Sequence, residues 1–446
     1  MTGFVAIGIA TAVAAFLLGR VLESRGRVYR LRVELASPPS TPLSLHPRID
    51  AGACICSGAC VAACPEQDVL AMIGGRPRLV QPSACVGHAD CLRSCPVSAI
   101  ELVLGSADRA VEVPVMSGAF ETTVPGLHVA GEITGVGLIH NAVAQGAQAA
   151  RAALDGAGRH DCVHDLVVIG AGPAGLGAAL EARRRGARCT VFERTELGGA
   201  IRSYPRQKVV MSAPFDFPGL GKVVLRRTTK EALLAVLEDV VQRAELAIVE
   251  RAEVTAITAL TGLHPAGGFR IATTACTTTA HRVVLAIGRR STPRRLAVPG
   301  ADLPHVVHGV ADPAQHAGQR VAVIGGGDSA VEIAVALAAQ PRTHVTLVHR
   351  GADFGRCKPD NQRALAHARA AGLAVRLRST VRAVTPDRVD LVTPDGPTAI
   401  AASLVVCCLG AELPSRWLRG LGIALRELRG EPLHATPPHP SRQRTW

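Results

Sequence analysis

Aromatic side chains are scarce in this 446-residue chain, at 3%, with two Trp, two Tyr and eight Phe. That is too few rings for a base-stacking platform, and it weakens the nucleic-acid reading that a net charge of +13 invites. Lysine is scarcer still. Lys208, Lys222, Lys230 and Lys358 are the only ones, so the positive charge is almost all arginine, scattered through an alanine-rich sequence. Charged residues make up 19% against 48% hydrophobic, which excludes wholesale disorder. The 45 glycines follow no three-residue period, which excludes a collagen-like fibre. Apolar material is abundant, and at this length two or three folded units are expected.

The thirteen cysteines are unevenly spread, with seven between Cys54 and Cys95. A secreted disulfide scaffold would be shorter and more evenly stapled, so the clustering favours metal ligation in a reducing compartment. Residues Phe4 to Leu22 form the one long apolar run, uncharged until Arg20, and match the ~20 residues of a membrane-spanning helix. Arg20, Arg25, Arg27, Arg30 and Arg32 follow the run and none precedes it, which predicts a single-pass anchor in an inner or plasma membrane with the bulk of the chain facing the cytoplasm. The alternative is a buried helix of a soluble domain.

Residues 54–65, CICSGACVAACP, repeat as 85–96, CVGHADCLRSCP, with a constant offset of 31. Both copies resemble the run C-x2-C-x2-C-x3-C-P of bacterial two-cluster ferredoxins, in which three thiolates on a tight loop hold one cluster and the fourth serves the other. The second ligand position is altered in each copy, to Ser57 and to His88, and a cysteine sits one residue early at Cys56. The expected sets are Cys54, Cys56 or Ser57, Cys60 and Cys95 for one cluster, and Cys85, His88, Cys91 and Cys64 for the other. Imidazole can replace thiolate on iron and raises the potential. Two [4Fe-4S] clusters are expected. One or both sites as [3Fe-4S], a zinc site and a metal-free relic stay open.

Two glycine turns follow. Asp165–Ile169 reads as a strand, Gly170-Ala171-Gly172-Pro173-Ala174-Gly175 as the turn before a helix, and Glu193 ends the next strand. That is a complete dinucleotide fingerprint: the glycines let backbone approach a pyrophosphate, and the acid takes ribose hydroxyls. In the second copy Arg320–Ile324 leads into Gly325-Gly326-Gly327-Asp328-Ser329-Ala330, and the next strand ends in His349-Arg350, with Arg356 nearby. Cations there suit a 2′-phosphate, which favours NADPH over NADH.

Two such folds, with Gly198-Gly199 after the ribose acid and Leu285-Ala286-Ile287-Gly288 before the second, resemble flavoprotein disulfide reductases of the thioredoxin-reductase type. The resemblance implies FAD at Gly170, Gly172, Pro173, Ala174, Gly175, Glu193, Gly198, Gly199 and Gly288, and NADPH at Gly325, Gly327, Ser329, Ala330, His349, Arg350 and Arg356. That family normally ends in a segment like T-x-V-P-G-L-x-x-A-G-D/E that touches the flavin. Here the match is Thr122 to Glu132, ahead of the first glycine turn, so the chain is expected to be circularly permuted, with Gly131 and Glu132 completing the flavin site.

The fold class expected is α/β: two Rossmann-like dinucleotide-binding domains, for FAD and NADPH, a small α+β two-cluster ferredoxin-like domain and an N-terminal transmembrane helix. The expected division is the membrane helix over 4–22, a basic and Pro-rich linker over 23–47, the iron–sulfur domain over 48–105, a displaced flavin-domain segment over 109–157, the flavin domain over 162–300, the NADPH domain over 312–411, a return segment over 412–430 and a disordered tail over 431–446.

The redox cysteine pair of thioredoxin reductases is missing from residues 306–320, and Ala174 stands where the similar bacillithiol disulfide reductases have a cysteine. The expected activity is therefore electron transfer between NADPH, FAD and the clusters, to or from a ferredoxin-like carrier or a membrane acceptor, with no acid–base triad required. A homodimer stays open. A low-molecular-weight disulfide reductase using Cys357, and an iron–sulfur redox sensor, are the alternatives. Tyr204 is a candidate for stacking on flavin or nicotinamide, against an ordinary packed tyrosine.

Overall fold

Each cysteine run folds as an extended loop that closes into one turn of helix, α1 (Ala59–Ala63) in the first copy and α2 (Asp90–Arg93) in the second. Around them strand His46–Ile49 pairs antiparallel with Ile100–Leu104, and Leu70–Ile73 pairs with Arg76–Leu79 across Gly74-Gly75. Both turn glycines have positive φ, as a tight primed hairpin turn demands. The main buried cluster here, among the described residues, is Cys60, Val69, Leu70, Cys91 and Ile100. Two of its five members are cysteines, and a second small cluster holds Ala71 and Val80.

The computed structural model describes residues 45–66, 69–107, 110–155, 161–225, 227–260, 267–289 and 293–432. The expected membrane span at 4–22, most of the linker before residue 45 and the tail after Pro432 lie outside them. Among the described residues no helix is long and apolar enough to cross a membrane. Contacts divide the chain after Val103.

The second unit opens with β1 (Val111–Pro114), β2 (Leu127–Val129) and α3 (Ile139–Leu154), then β3 (His164–Ile169), α4 (Pro173–Arg184) and β4 (Cys189–Phe192). Residues Leu166–Ile169 of β3 are buried as a continuous apolar run, the mark of a parallel strand covered on both faces. Strand β5 (Thr277–Leu285) lies beside β3, with Val283 opposite Val167, and receives β2 in parallel, with Val283 opposite Leu127 and Leu285 opposite Val129. Through β2, segment 111–154 is thus tied into the same sheet as the first glycine turn.

Helices α3 and α4 meet backbone to backbone. A Cβ on Gly146 would lie 1.9 Å from the Ala174 carbonyl oxygen, and one on Gly177 2.3 Å from that of Val143. Glu181, with no exposed side-chain surface, ties the pair together by accepting from Arg151 at 3.1 Å, Arg184 at 2.8 Å and Arg185 at 3.2 Å. The Arg184 hydrogen bond, helped by Arg151 and Arg185 and opposed by burial, holds its pKa down at about 2.

The second nucleotide fold repeats the plan with β6 (Arg320–Ile324), α5 (Asp328–Ala338), β7 (His344–Val348) and β8 (Leu404–Cys407). Its parallel sheet runs Val306–Val307, β8, β6, β7, Ala374–Arg376. The chain then returns to the flavin sheet. Leu413, Leu418 and Ile423 join the core of Leu127, Val129 and Leu285, and β9 (Leu425–Leu428) pairs antiparallel with β1, Leu425 opposite Pro114 and Leu428 opposite Val111.

Candidate functional site

At the end of β3 the chain turns through Gly170 at φ +106, where a Cβ would meet the Ala286 carbonyl oxygen at 2.6 Å. Gly175 lies still closer to backbone, since its Cβ would sit 1.8 Å from the Gly170 carbonyl oxygen. Gly172 differs, because nothing lies within 4 Å of its Cβ position. It caps α4, with Pro173 in the first turn, so the open space adjoins a helix N-terminus, where backbone N–H groups favour a phosphate. The residues present fit a dinucleotide: two glycines are needed for packing and one for approach.

The other flavin-site residues expected from sequence converge on this turn. The Gly198 N–H donates to the Ala171 carbonyl at 3.0 Å, and the Cβ position of Gly199 is 3.6 Å from Gly172 Cα. Gly131 packs against Ala174, and Glu132 Oε2 lies 3.8 Å from the Cβ position of Gly288. Glu193 is buried, with Oε2 accepting from the Ala171 N–H at 2.8 Å and Oε1 from the Thr195 N–H at 2.9 Å. Its first structural task is to brace the turn.

The second turn is built alike and braced differently. Gly327 caps α5 and nothing lies within 4 Å of its Cβ position, whereas a Cβ on Gly325 would meet the Cys408 carbonyl oxygen at 2.5 Å. Ala330 is buried and Ser329 exposed on the first turn of α5. His349, expected beside the 2′-phosphate, lies under the turn instead: it is 7% exposed, a Cβ on Gly326 would come within 2.0 Å of its ring, and Phe354 packs on it at 5.1 Å. Burial, with the Arg356 and Arg350 charges adding to it, lowers its pKa below 6.5. Arg350 and Arg356 are exposed.

The cysteine loops make two cavities. One is lined by Cys54, Cys56, Ser57, Cys60 and Cys95, the other by Cys64, Cys85, His88 and Cys91. Each draws its fourth cysteine from the opposite copy. The Cys56 N–H donates to Cys54 Sγ at 3.4 Å and the Ala99 N–H to Cys95 Sγ at 3.2 Å, bonds that suit thiolates. Among the described residues no three His, Cys, Asp or Glu side chains converge on a point that would hold a single ion. A cubane needs its ligands spread around a larger body than one ion, so a single-ion convergence is not what such a cluster asks for. Burial raises the Cys85 thiol to about 11 and Cys91 to about 12, so a ligand role would require each to give up its proton.

Sequence reasoning missed several positions. Gln145 Oε1 accepts from the Gly131 N–H at 2.9 Å, and an amide on the buried side of an alanine-rich helix was the available signal. Lys208 donates to Glu332 on α5 at 2.8 Å and lies 4.9 Å from the Tyr204 ring centroid, so one face of that ring is already taken. Cys357 is fully buried, its thiol 3.5 Å from the Gly326 carbonyl oxygen and pushed up to about 12. Cys408 is likewise held near 12.

A family model described as pyridine nucleotide-disulphide oxidoreductase matches residues 167–436, and one described as a 4Fe-4S dicluster domain matches residues 46–96. The chain belongs to the pyridine nucleotide-disulphide oxidoreductase family. It is an FAD-dependent pyridine-nucleotide oxidoreductase whose cofactors are FAD, NADPH and iron–sulfur clusters. Among its relatives in the family, a ferredoxin–NADP reductase of Levilactobacillus brevis is 32% identical over 60% of this chain and 78% of its own length. One of Ignicoccus hospitalis is 28% identical over 59% and 83%. The solved bacillithiol disulfide reductase of Staphylococcus aureus is 25% identical, covers 58% of this chain and 80% of its own, and superposes with a TM-score of 0.53.

Proposed function

We propose that this oxidoreductase exchanges electrons between NADPH and a one-electron carrier by way of FAD and two clusters, as a ferredoxin–NADP reductase-like enzyme with its own ferredoxin domain. The observation that carries the reading is that two cavities lined by crossed cysteine sets share a chain with two nucleotide turns, while the flavin turn holds no thiol. When bound, FAD takes up an electron pair and releases it singly, joining a hydride donor to one-electron clusters. Gly172 and Gly327 leave room for the pyrophosphates at two helix N-termini. Arg350 and Arg356 supply cations for a 2′-phosphate, and Glu193 fixes the turn while keeping lone pairs for ribose hydroxyls. Cys54, Cys60 and Cys95 with Cys56 or Ser57 would hold one cluster, and Cys64, Cys85, His88 and Cys91 the other, as [4Fe-4S] or, at an incomplete site, [3Fe-4S].

The disulfide-reductase reading loses its thiol, since Ala174 occupies the flavin turn and Cys357 is buried and protonated. We also read the flavin unit as circularly permuted. Support comes from β9 and β1, whose paired ends at Leu428 and Val111 are those a short turn would join in the usual order. The apolar run at 4–22 and the arginines after it support a membrane anchor with the redox units on the cytoplasmic side, and a carrier protein or a membrane acceptor as partner.

Anaerobic titration of the detergent-solubilised chain with NADPH, followed by visible absorption and electron paramagnetic resonance, tests the proposal. Flavin bleaching followed by reduced-cluster signals is the expected result. Flavin bleaching without any cluster signal would remove the ferredoxin domain from the path and return the sensor reading.

A further inference from the structure

The two cysteine loops share one backbone and differ in which residue carries its strain. In the second loop the third residue of the run is Gly87, at φ +79, and a Cβ there would lie 2.7 Å from the Leu45 carbonyl oxygen. That position has no room for a side chain. In the first loop the matching residue is Cys56, at φ +59, in the same left-handed backbone but with a side chain attached. Non-glycine residues held in that region are uncommon, and they persist where the surroundings or the function require them. Ser57, in the position where the ferredoxin run has its second cysteine, is exposed, and its hydroxyl only reaches the Ala59 N–H at 3.5 Å. Both residues line the cavity, but Cys56 is half-buried there, with its N–H turned onto Cys54 Sγ and its thiol 3.8 Å from the Cys54 carbonyl oxygen.

We infer that Cys56, not Ser57, completes the first ligand set with Cys54, Cys60 and Cys95, the early cysteine being placed by the left-handed turn that its twin loop gives to glycine. The inference rests on the iron–sulfur reading above. Ligation replaces the Cys56 S–H by an S–Fe bond and releases the proton to solvent. The two sites then differ in kind: four thiolates at the first, and three thiolates with His88 at the second. A neutral imidazole in place of an anionic thiolate raises a cluster's potential. The second site is therefore the higher-potential one, and an electron shared between them rests there.

The test is iron and sulfide analysis, with electron paramagnetic resonance, on the anaerobically purified full chain and two variants. Cys56→Gly is chosen because Gly87 shows that this backbone accepts glycine. It is expected to lose one iron per chain and to gain an oxidised three-iron signal, with the second cluster's signal intact. Ser57→Ala is expected to match the parent. Full iron with parental spectra in Cys56→Gly, or loss of iron in Ser57→Ala, overturns the inference. If Cys56→Gly loads poorly at both sites, the double variant Cys56→Gly/Ser57→Cys restores the ordinary spacing. Recovery of parental iron supports the assignment, and failure to recover overturns it. A parent chain lacking any cluster at the first site would instead sink the iron–sulfur reading, so the two failures are distinct.

Discussion

At the end of the strand that follows each glycine turn stands the residue that braces it, Glu193 in the first and His349 in the second. Glu193 does so with directed polar bonds, taking the Ala171 N–H at 2.8 Å. His349 does so by filling space, its ring pressed under Gly326 and against Phe354. The difference teaches that one topological position can serve opposite chemistries. A carboxylate left at the first site offers acceptors to ribose hydroxyls. A ring withdrawn beneath the second leaves Arg350 and Arg356 exposed on that strand end and the loop after it, with Asp353 and Lys358 exposed beside them.

The comparison breaks most visibly at the glycines. Gly175→Ala forces a Cβ onto the Gly170 carbonyl and should cost about 3 kcal/mol, with loss of bound flavin. Gly172→Ala, where the space is open, should keep the thermal transition of the flavin-free protein and lose only flavin retention. Flavin absorbance and melting curves check both, and equal melting losses would erase the distinction.

In the second turn Gly326→Ala should destabilise by about 1–3 kcal/mol because of the His349 ring. Adding His349→Ala should make the double variant more stable than the sum of the singles predicts. Additive losses in a denaturant cycle would mean the ring is not the brace.

Arg350→Ala and Arg356→Ala should each raise KM for NADPH about tenfold, the equivalent of roughly 1.4 kcal/mol, and leave KM for NADH unchanged. Steady-state kinetics with both nucleotides check this, and equal changes would reassign the arginines to general surface charge.

The smallest effects concern acid. Both Glu181 and His349 have pKa values below their unfolded ones, 4.5 and 6.5, so in each case the unfolded chain binds protons first and stability falls as pH falls. The His349 contribution should fade from about pH 6.5 downward, whereas that of Glu181 persists to about pH 4.5 and disappears toward its folded value of about 2. Glu181→Gln should flatten the lower part of a melting-temperature profile, and His349→Gln the upper part.

What was legible in the sequence was local. The glycine turns, the strand-end residues and the cysteine runs each lie within a few dozen residues, so spacing alone carries them. The crossed cysteine sets were legible as well, because the two copies repeat. The side of the turn that His349 faces was not, since a strand-end residue can rise toward a nucleotide or sink beneath the loop, and only the Phe354 and Gly326 contacts decide. The Lys208–Glu332 pair was equally hidden, because it joins segments distant along the chain, and Gln145 because its spacing from Gly131 does not say that the amide turns back onto that N–H. The pairing of β2 with β5 likewise depends on residues more than a hundred positions apart.

The pairing of β1 with β9 has a consequence in time. Glu112 within β1 and Arg419 shortly before β9 form an ion pair across 307 residues of chain. At a synthesis rate of about 5–20 residues per second, the first strand waits roughly a quarter of a minute to a minute for its partner. Through that interval Leu127, Val129 and Ile133 lack Leu413, Leu418 and Ile423, the last apolar residues to reach their shared core. The flavin half therefore cannot close before residue 423 has been made, however early its first strand appears. Its closing step comes late in synthesis, and the apolar residues of the early-made segment stay uncovered until then.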